Sequence, residues 1–193
     1  MKQLILQNVA KHISLTTEQE AYFLSLLKSK KIKKKQFLSQ EGDISKGPFF
    51  VTEGILRSYT IDKNGFEHNL QFAPPGWWIV DMQSFITHQP GTLSIDAIED
   101  SDVLLLPKNE LDKLYSEIPV FERFFRILAE NALVTFQQRL IDNLSLTARE
   151  RYESFCKRYP VLIKRLPQKQ VASYIGVTPE FLSKMLKSTS GKN

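Results

Sequence analysis

Apolar residues at Leu4, Ile5, Val9, Ile13 and Leu15 recur at helical spacing, so the chain opens on an amphipathic helix. Thr16 or Thr17 then supplies an N-cap for a second segment, TEQEAYFLSLLKS. Glu18 and Glu20 fall in its first turn, and Tyr22, Phe23, Leu26 and Leu27 form its apolar face. From Phe37 to Leu106 the period shortens. Apolar runs such as FFV, ILRSYTI, HNLQF, WWIV, LSIDAI and VLLL are divided by Gly, Pro, Asn and Asp clusters, the pattern of many short strands in a sandwich, jelly roll or barrel. Asn64-Gly65, between two alternating runs, predicts a tight hairpin because both residues tolerate positive φ. A short helix is expected over 107–115. Beyond Pro119 the segment VFERFFRILAENALVTFQQRLIDNLS has no Gly or Pro, which predicts one long helix. It carries two adjacent apolar lines, one through Phe121, Phe124 or Phe125, Leu128 and Ala132, the other through Leu133, Phe136, Leu140 and Leu144. Burial on two sides, within the chain and against a twin helix in a homodimer, is the expectation. A further helix follows from Leu146 to Tyr159.

The C-terminal segment from Gln168 to Lys187 has the spacing of a helix-turn-helix. Ala172 is small where a second helix must cross, Gly176 four positions later suits a turn at positive φ, and Val171, Ile175, Val177, Leu182 and Met185 fall where a small two-helix core would lie. Thr178 is placed to cap the second helix, with Pro179 at its first position and Glu180 in its first turn. With Leu182 and Met185 inward, the outward face is expected to present Pro179, Glu180, Ser183, Lys184 and Lys187.

Composition leaves this picture intact, and charge sharpens it. The 193 residues are 42% apolar and 24% charged, ordinary for a globular protein. No apolar run approaches the roughly 20 residues that span a bilayer, and the N-terminus lacks a signal-peptide pattern, so a cytoplasmic location without membrane attachment is expected. The net charge is +5, but residues 146–193 hold 10 Lys/Arg against 3 Asp/Glu and the rest of the chain is slightly acidic. A basic terminal segment coinciding with a helix-turn-helix points to double-stranded DNA. In the major groove Glu180 can accept from cytosine N4 and Lys184 can donate to guanine, with Ser183 permissive. Gln168, Lys169, Gln170 and Lys187 are better placed for phosphates. The lysine run at 28–35 reads as a helix end and edge strand, or as a second phosphate patch.

The order of these elements, with EGD at 41–43, EGILRSY at 53–59 and IGVTPEFLSKML at 175–186, resembles the CRP/FNR family. The resemblance implies an α+β chain with a cyclic-nucleotide-binding-like β-roll and flanking helices over 1–118. A dimerisation helix over 119–145 and an all-α helix-turn-helix domain over 146–193 would follow. It also implies contacts with RNA polymerase, and base reading at Pro179, Glu180 and Lys184. After Lys187 only STSGKN remains, so the β-wing of some members is not expected.

The effector region departs from the family pattern. Val80-Asp81 stands where cyclic-nucleotide binders carry Gly-Glu, Gly91-Thr92 stands near their Arg-Ser, and no Lys or Arg occurs between Asn64 and Pro107. A buried phosphate without a cation is costly, so tight cyclic AMP binding is not expected. Trp77, Trp78, Asp81 and Thr92 are candidates to line a pocket for an uncharged or cationic effector of unknown identity; their alternative role is ordinary roll core and surface. The single cysteine, Cys156, cannot hold an iron–sulfur cluster and reads as structural. His12, His68 and His88 have no metal-ligand spacing, so neither a cofactor nor a metal-dependent enzyme is expected. The competing reading is a sensor module whose C-terminal helices bind a protein partner.

Overall fold

The alternating runs of the central region pair into two antiparallel four-stranded sheets. The strands are β1 (Lys28–Ile32), β2 (Phe37–Ser39), β3 (Phe49–Glu53), β4 (Leu56–Ile61), β5 (Glu67–Ala73), β6 (Trp78–Ile79), β7 (Ser94–Ala97) and β8 (Ser101–Leu105). One sheet has the order β1-β8-β3-β6 and the other β2-β7-β4-β5. The computed structural model describes the backbone of residues 2–190 and the side chains of residues 2–188. The chain end on which the wing expectation falls lies outside the described residues.

Inward positions of both sheets meet in one apolar layer that includes Phe49, Val51, Leu56, Ile79, Ile95 and Val103. On the outer side of the first sheet a second core forms. Phe50 and Leu104 pack there with Ile5 and Val9 of α1 (Lys2–Ala10), Phe23 of α2 (Thr17–Ser25), Leu111 and Leu114 of α4 (Lys108–Glu117), and Phe121 and Phe124 of α5 (Val120–Ser145). The short α3 (Met82–Thr87) precedes β7. Thr16 caps α2 in a reciprocal capping box with Gln19. The lysine-rich β1 is a sheet edge on which Lys30 and Lys31 are both exposed, Lys31 lying 3.7 Å from Asp102. The protein is therefore an α+β chain with an antiparallel roll and C-terminal helices.

The chain divides into two compact units. The first comprises residues 1–60 and 71–131; the second comprises 61–70 and 132–193. The second unit thus holds the tip of the β4–β5 hairpin, the C-terminal half of α5, α6 (Ala148–Arg158), a 3-10 turn at Leu162–Lys164, α7 (Gln168–Ile175) and α8 (Pro179–Ser190). Its core is built from Phe155, Leu162, Leu166, Val171, Ala172, Ile175 and Leu182, all buried. An aromatic cluster of Phe155, Tyr159 and Tyr174, with ring centroids 5.1–6.4 Å apart, extends it. Burial raises the Tyr174 hydroxyl well above its ordinary value.

Candidate nucleic-acid interface

The helix-turn-helix is assembled by local rules. Gly176 ends α7 in the left-handed region at φ 72°, where its N–H and that of Val177 return to the last carbonyls of the helix, Val177 N to Ala172 O at 3.0 Å. Ala172 is fully buried at the crossing of α7 and α8, as the spacing requires. Thr178 Oγ1 accepts from Phe181 N–H at 3.2 Å, which fixes the first turn of α8 with Pro179 and Glu180 inside it. Val171, Ile175 and Leu182 close the small core; Val177 and Met185 are only half-buried. Arg149 and Arg151 of α6 brace the pair from behind, Arg149 donating to Met185 O and Arg151 to Ile175 O.

With Leu182 wholly buried, the rotation of α8 is set. Its exposed side chains are Glu180, Phe181, Lys184, Lys187 and Ser188, while Pro179 and Ser183 lie half-buried at the margins. The outward face therefore differs from the expected one by including an aromatic residue. A helical projection of the sequence contains this signal, because Phe181 stands three residues before Lys184; the sequence pattern alone assigns it to neither the core nor the outward face. Gln168 and Lys169 are exposed at the start of α7, and Thr178 is exposed at the turn.

Gln170 has a different role from the one expected for a phosphate contact. Its side-chain oxygen accepts from Asn69 Nδ2 at 2.8 Å, and its backbone carbonyl accepts from the same amide at 3.2 Å. This belongs to a set of bonds between the hairpin tip and the neighbouring helices. Asn69 N–H donates to Ser173 Oγ at 2.9 Å, and Ser173 donates to Glu67 O at 2.6 Å. Arg139 of α5 donates to the carbonyls of Leu70, Asn69 and Tyr174 at 2.6–2.8 Å while its guanidinium stacks 4.0 Å over the Tyr174 ring. Burial lowers the Arg139 pKa from its ordinary value.

In the roll, the four candidate ligand residues do not share one role. Trp77 and Thr92 are exposed, whereas Trp78 packs against Phe50, Phe124 and Phe125 and donates its indole N–H to Asn8 at 3.1 Å. Asp81 is buried at 2% exposure and caps α3, accepting from Ser84 N–H at 3.1 Å and from Leu93 N–H at 3.2 Å. Gly91 abuts this carboxylate so closely that a Cβ would lie 2.4 Å from it.

The family model described as "Cyclic nucleotide-binding domain" matches residues 29–117. Regulatory protein HlyX of Actinobacillus pleuropneumoniae is 25% identical over 82% of this chain and 70% of its own length. The transcriptional activator protein anr of Pseudomonas aeruginosa is 24% identical over 90% and 75%. The chain spans 62% of the anaerobic regulatory protein of Pasteurella multocida, which is 25% identical. Among solved structures, the fold matches FixK2 from Bradyrhizobium japonicum with a TM-score of 0.75 at 18% identity, over 86% of this chain and 85% of that one. The c-di-GMP-responsive regulator CLP of Xanthomonas campestris matches with a TM-score of 0.76 at 14% identity, over 91% and 92%. The chain is thus similar to regulators of the CRP/FNR type in sequence and in fold. In this chain the residues around α3 do not fit a cyclic nucleotide phosphate. The N–H groups of Ser84 and Leu93 are already occupied by the Asp81 carboxylate, which would repel an anion. Among the described residues, the arginine buried in the roll is Arg57, and it is committed to Asp96 through two bonds of 2.8 and 2.9 Å.

Proposed function

We infer that the chain is a sequence-specific DNA-binding transcription regulator of the CRP/FNR type. It works in the cytoplasm as a homodimer that contacts RNA polymerase, without enzymatic activity and without control by cyclic AMP. The observation that carries the DNA reading is the outward face of α8. A capped, rotationally fixed helix presents Glu180, Lys184 and Lys187 to solvent at the end of a basic segment. Laid in the major groove, its first turns meet base edges, with Glu180 matched to cytosine N4 and Lys184 to guanine O6 or N7. Gln168, Lys169 and Lys187 address phosphates, and Thr178 orders the helix start. In this reading residues 1–118 carry the input roll, 119–145 the dimerisation helix and 146–193 the output helices, with the hairpin residues 61–70 joined to the output helices in the second compact unit. Support for the dimer comes from α5, whose C-terminal half leaves Leu133, Val134, Phe136, Leu140, Ile141 and Leu144 exposed in the single chain.

Selection of bound fragments from a random DNA pool tests this reading. The expected result is a two-fold palindrome with half-sites about one helical turn apart, and an affinity that falls steeply with salt. Recovery of no preferred sequence, or binding with no salt dependence, would sink the DNA reading and favour a protein partner for the C-terminal helices.

A further inference from the structure

We propose that Phe181 reads thymine: its ring packs on the C5 methyl group of a thymine beside the base pair addressed by Glu180 and Lys184. The inference rests on the DNA-binding reading above and deepens it. Phe181 is 52% exposed on a helix whose other exposed side chains among the described residues, Glu180, Lys184, Lys187 and Ser188, are all polar. The exposure is not a freely turning side chain on a loose end. Its own N–H is tied to Thr178 Oγ1 at 3.2 Å, and the next residue, Leu182, is wholly buried, so the rotation of α8 holds the Cα of Phe181 on the outer side of the small core. Phe181 and Lys184 are three residues apart and Glu180 is adjacent, so the ring borders the polar reading face and shares its first turn.

Groove chemistry then selects the contact. In the major groove guanine and adenine offer a phenyl ring mainly acceptors and a donor, and cytosine sets its N4 amino group beside a bare C5–H, so none of the three projects an apolar group toward the ring. Thymine alone presents an apolar group there, its C5 methyl. Pressed against any other base, the ring would cover a polar edge and leave it unpaired, which penalises the wrong base as well as favouring the right one. One helix turn thus combines a carboxylate, an ammonium and a ring, matched to cytosine, guanine and thymine.

Replacing single thymines by uracil in a selected site tests this directly, because the exchange removes the methyl and keeps the base pairing. For the unaltered protein, uracil at one thymine of a half-site should weaken binding about fourfold, the loss expected for one methyl taken out of apolar contact. That thymine should adjoin the pair whose identity relaxes in Lys184→Ala. Phe181→Ala should bind the thymine and uracil sites equally. Phe181→Gln provides a second variant that folds by design, since glutamine three residues after Thr178 completes a capping box, and it should also lose the distinction. The inference is overturned if uracil is tolerated at every thymine, if the uracil penalty persists unchanged in both variants, or if both variants weaken all sites equally, which would place the ring on the sugar-phosphate wall. A protein that selects no site at all overturns the DNA reading itself, and the inference with it. A selected site indifferent to uracil overturns only the inference.

Discussion

Two backbone N–H groups converge on one carboxylate at Asp81, and that small fact decides much about the input roll. A carboxylate buried at the start of a helix is stabilised by its hydrogen bonds and by the helix dipole. The same bonds leave nothing to offer a second anion. Titration of the protein with cyclic AMP in a calorimeter should give no binding heat in the micromolar range; saturable binding there would refute the assignment of Asp81 as an internal substitute for phosphate. At the output end the corresponding residue is Lys184. Its truncation to alanine should cost about 1–3 kcal/mol of specific binding and relax one base preference, read by comparing single-base variants of a selected site. A uniform loss over all sequences would make it a phosphate contact instead. Much of this scale was legible without coordinates, because Gly176, Ala172, Thr178 and Leu182 obey rules that depend on sequence neighbours alone. Asp81 was not: its role depends on Leu93 N–H and Gly91, which meet it only after the chain has folded back.

Among elements, the β4–β5 hairpin repays the closest reading. Asn64-Gly65 announced the turn, and the structure adds Asp62, whose carboxylate accepts from His68 Nε2 at 2.9 Å, Asn64 N–H at 2.8 Å and Phe66 N–H at 3.1 Å. The bond from His68 and then that from Phe66 hold the Asp62 pKa below the ordinary carboxylate value. A pKa lowered by folding contributes stability that is complete above the unfolded value, near 4, and is lost as pH falls through the folded one. Amide exchange at Asn64 and Phe66 should therefore speed up, relative to the intrinsic rate, as pH drops below about 4, and Asp62→Asn should abolish that dependence. An unchanged pH profile in the variant would remove Asp62 from the account. The turn was readable because it is local. The bonds from its far strand to α7 were not, since Asn69 and Gln170 are 101 positions apart and Glu67 and Ser173 are 106 apart. No periodicity encodes such a pairing.

For the whole molecule, the apolar stripe on α5 is the surface on which the proposed dimer rests. Phe121 and Phe124 at its start are buried within the chain, whereas Leu140 is 60% and Leu144 is 80% exposed further along. Water is a poor solvent for so continuous a row, and in the proposed homodimer a second copy of the helix would cover it. Leu140→Arg should convert the dimer to monomer in sedimentation and reduce affinity for a palindromic site to that of a half-site. A variant that stays dimeric would place the interface elsewhere. The pattern of the stripe was plain in the sequence. Which of its two lines faces inward was not, because that depends on how Arg139 and Asp142 are taken up by the helices around them.

The hairpin tip that supplies Glu67, Asn69 and Leu70 to α7 and Arg139 also makes the second compact unit discontinuous along the chain. Ten residues encoded in the first half of the chain complete a unit whose remainder is encoded in its last third. Such a unit cannot be excised as a single stretch: a fragment starting at residue 146 would leave Ser173 and Gln170 without the strand they hold. To be transplanted whole, the second unit must be moved in two pieces.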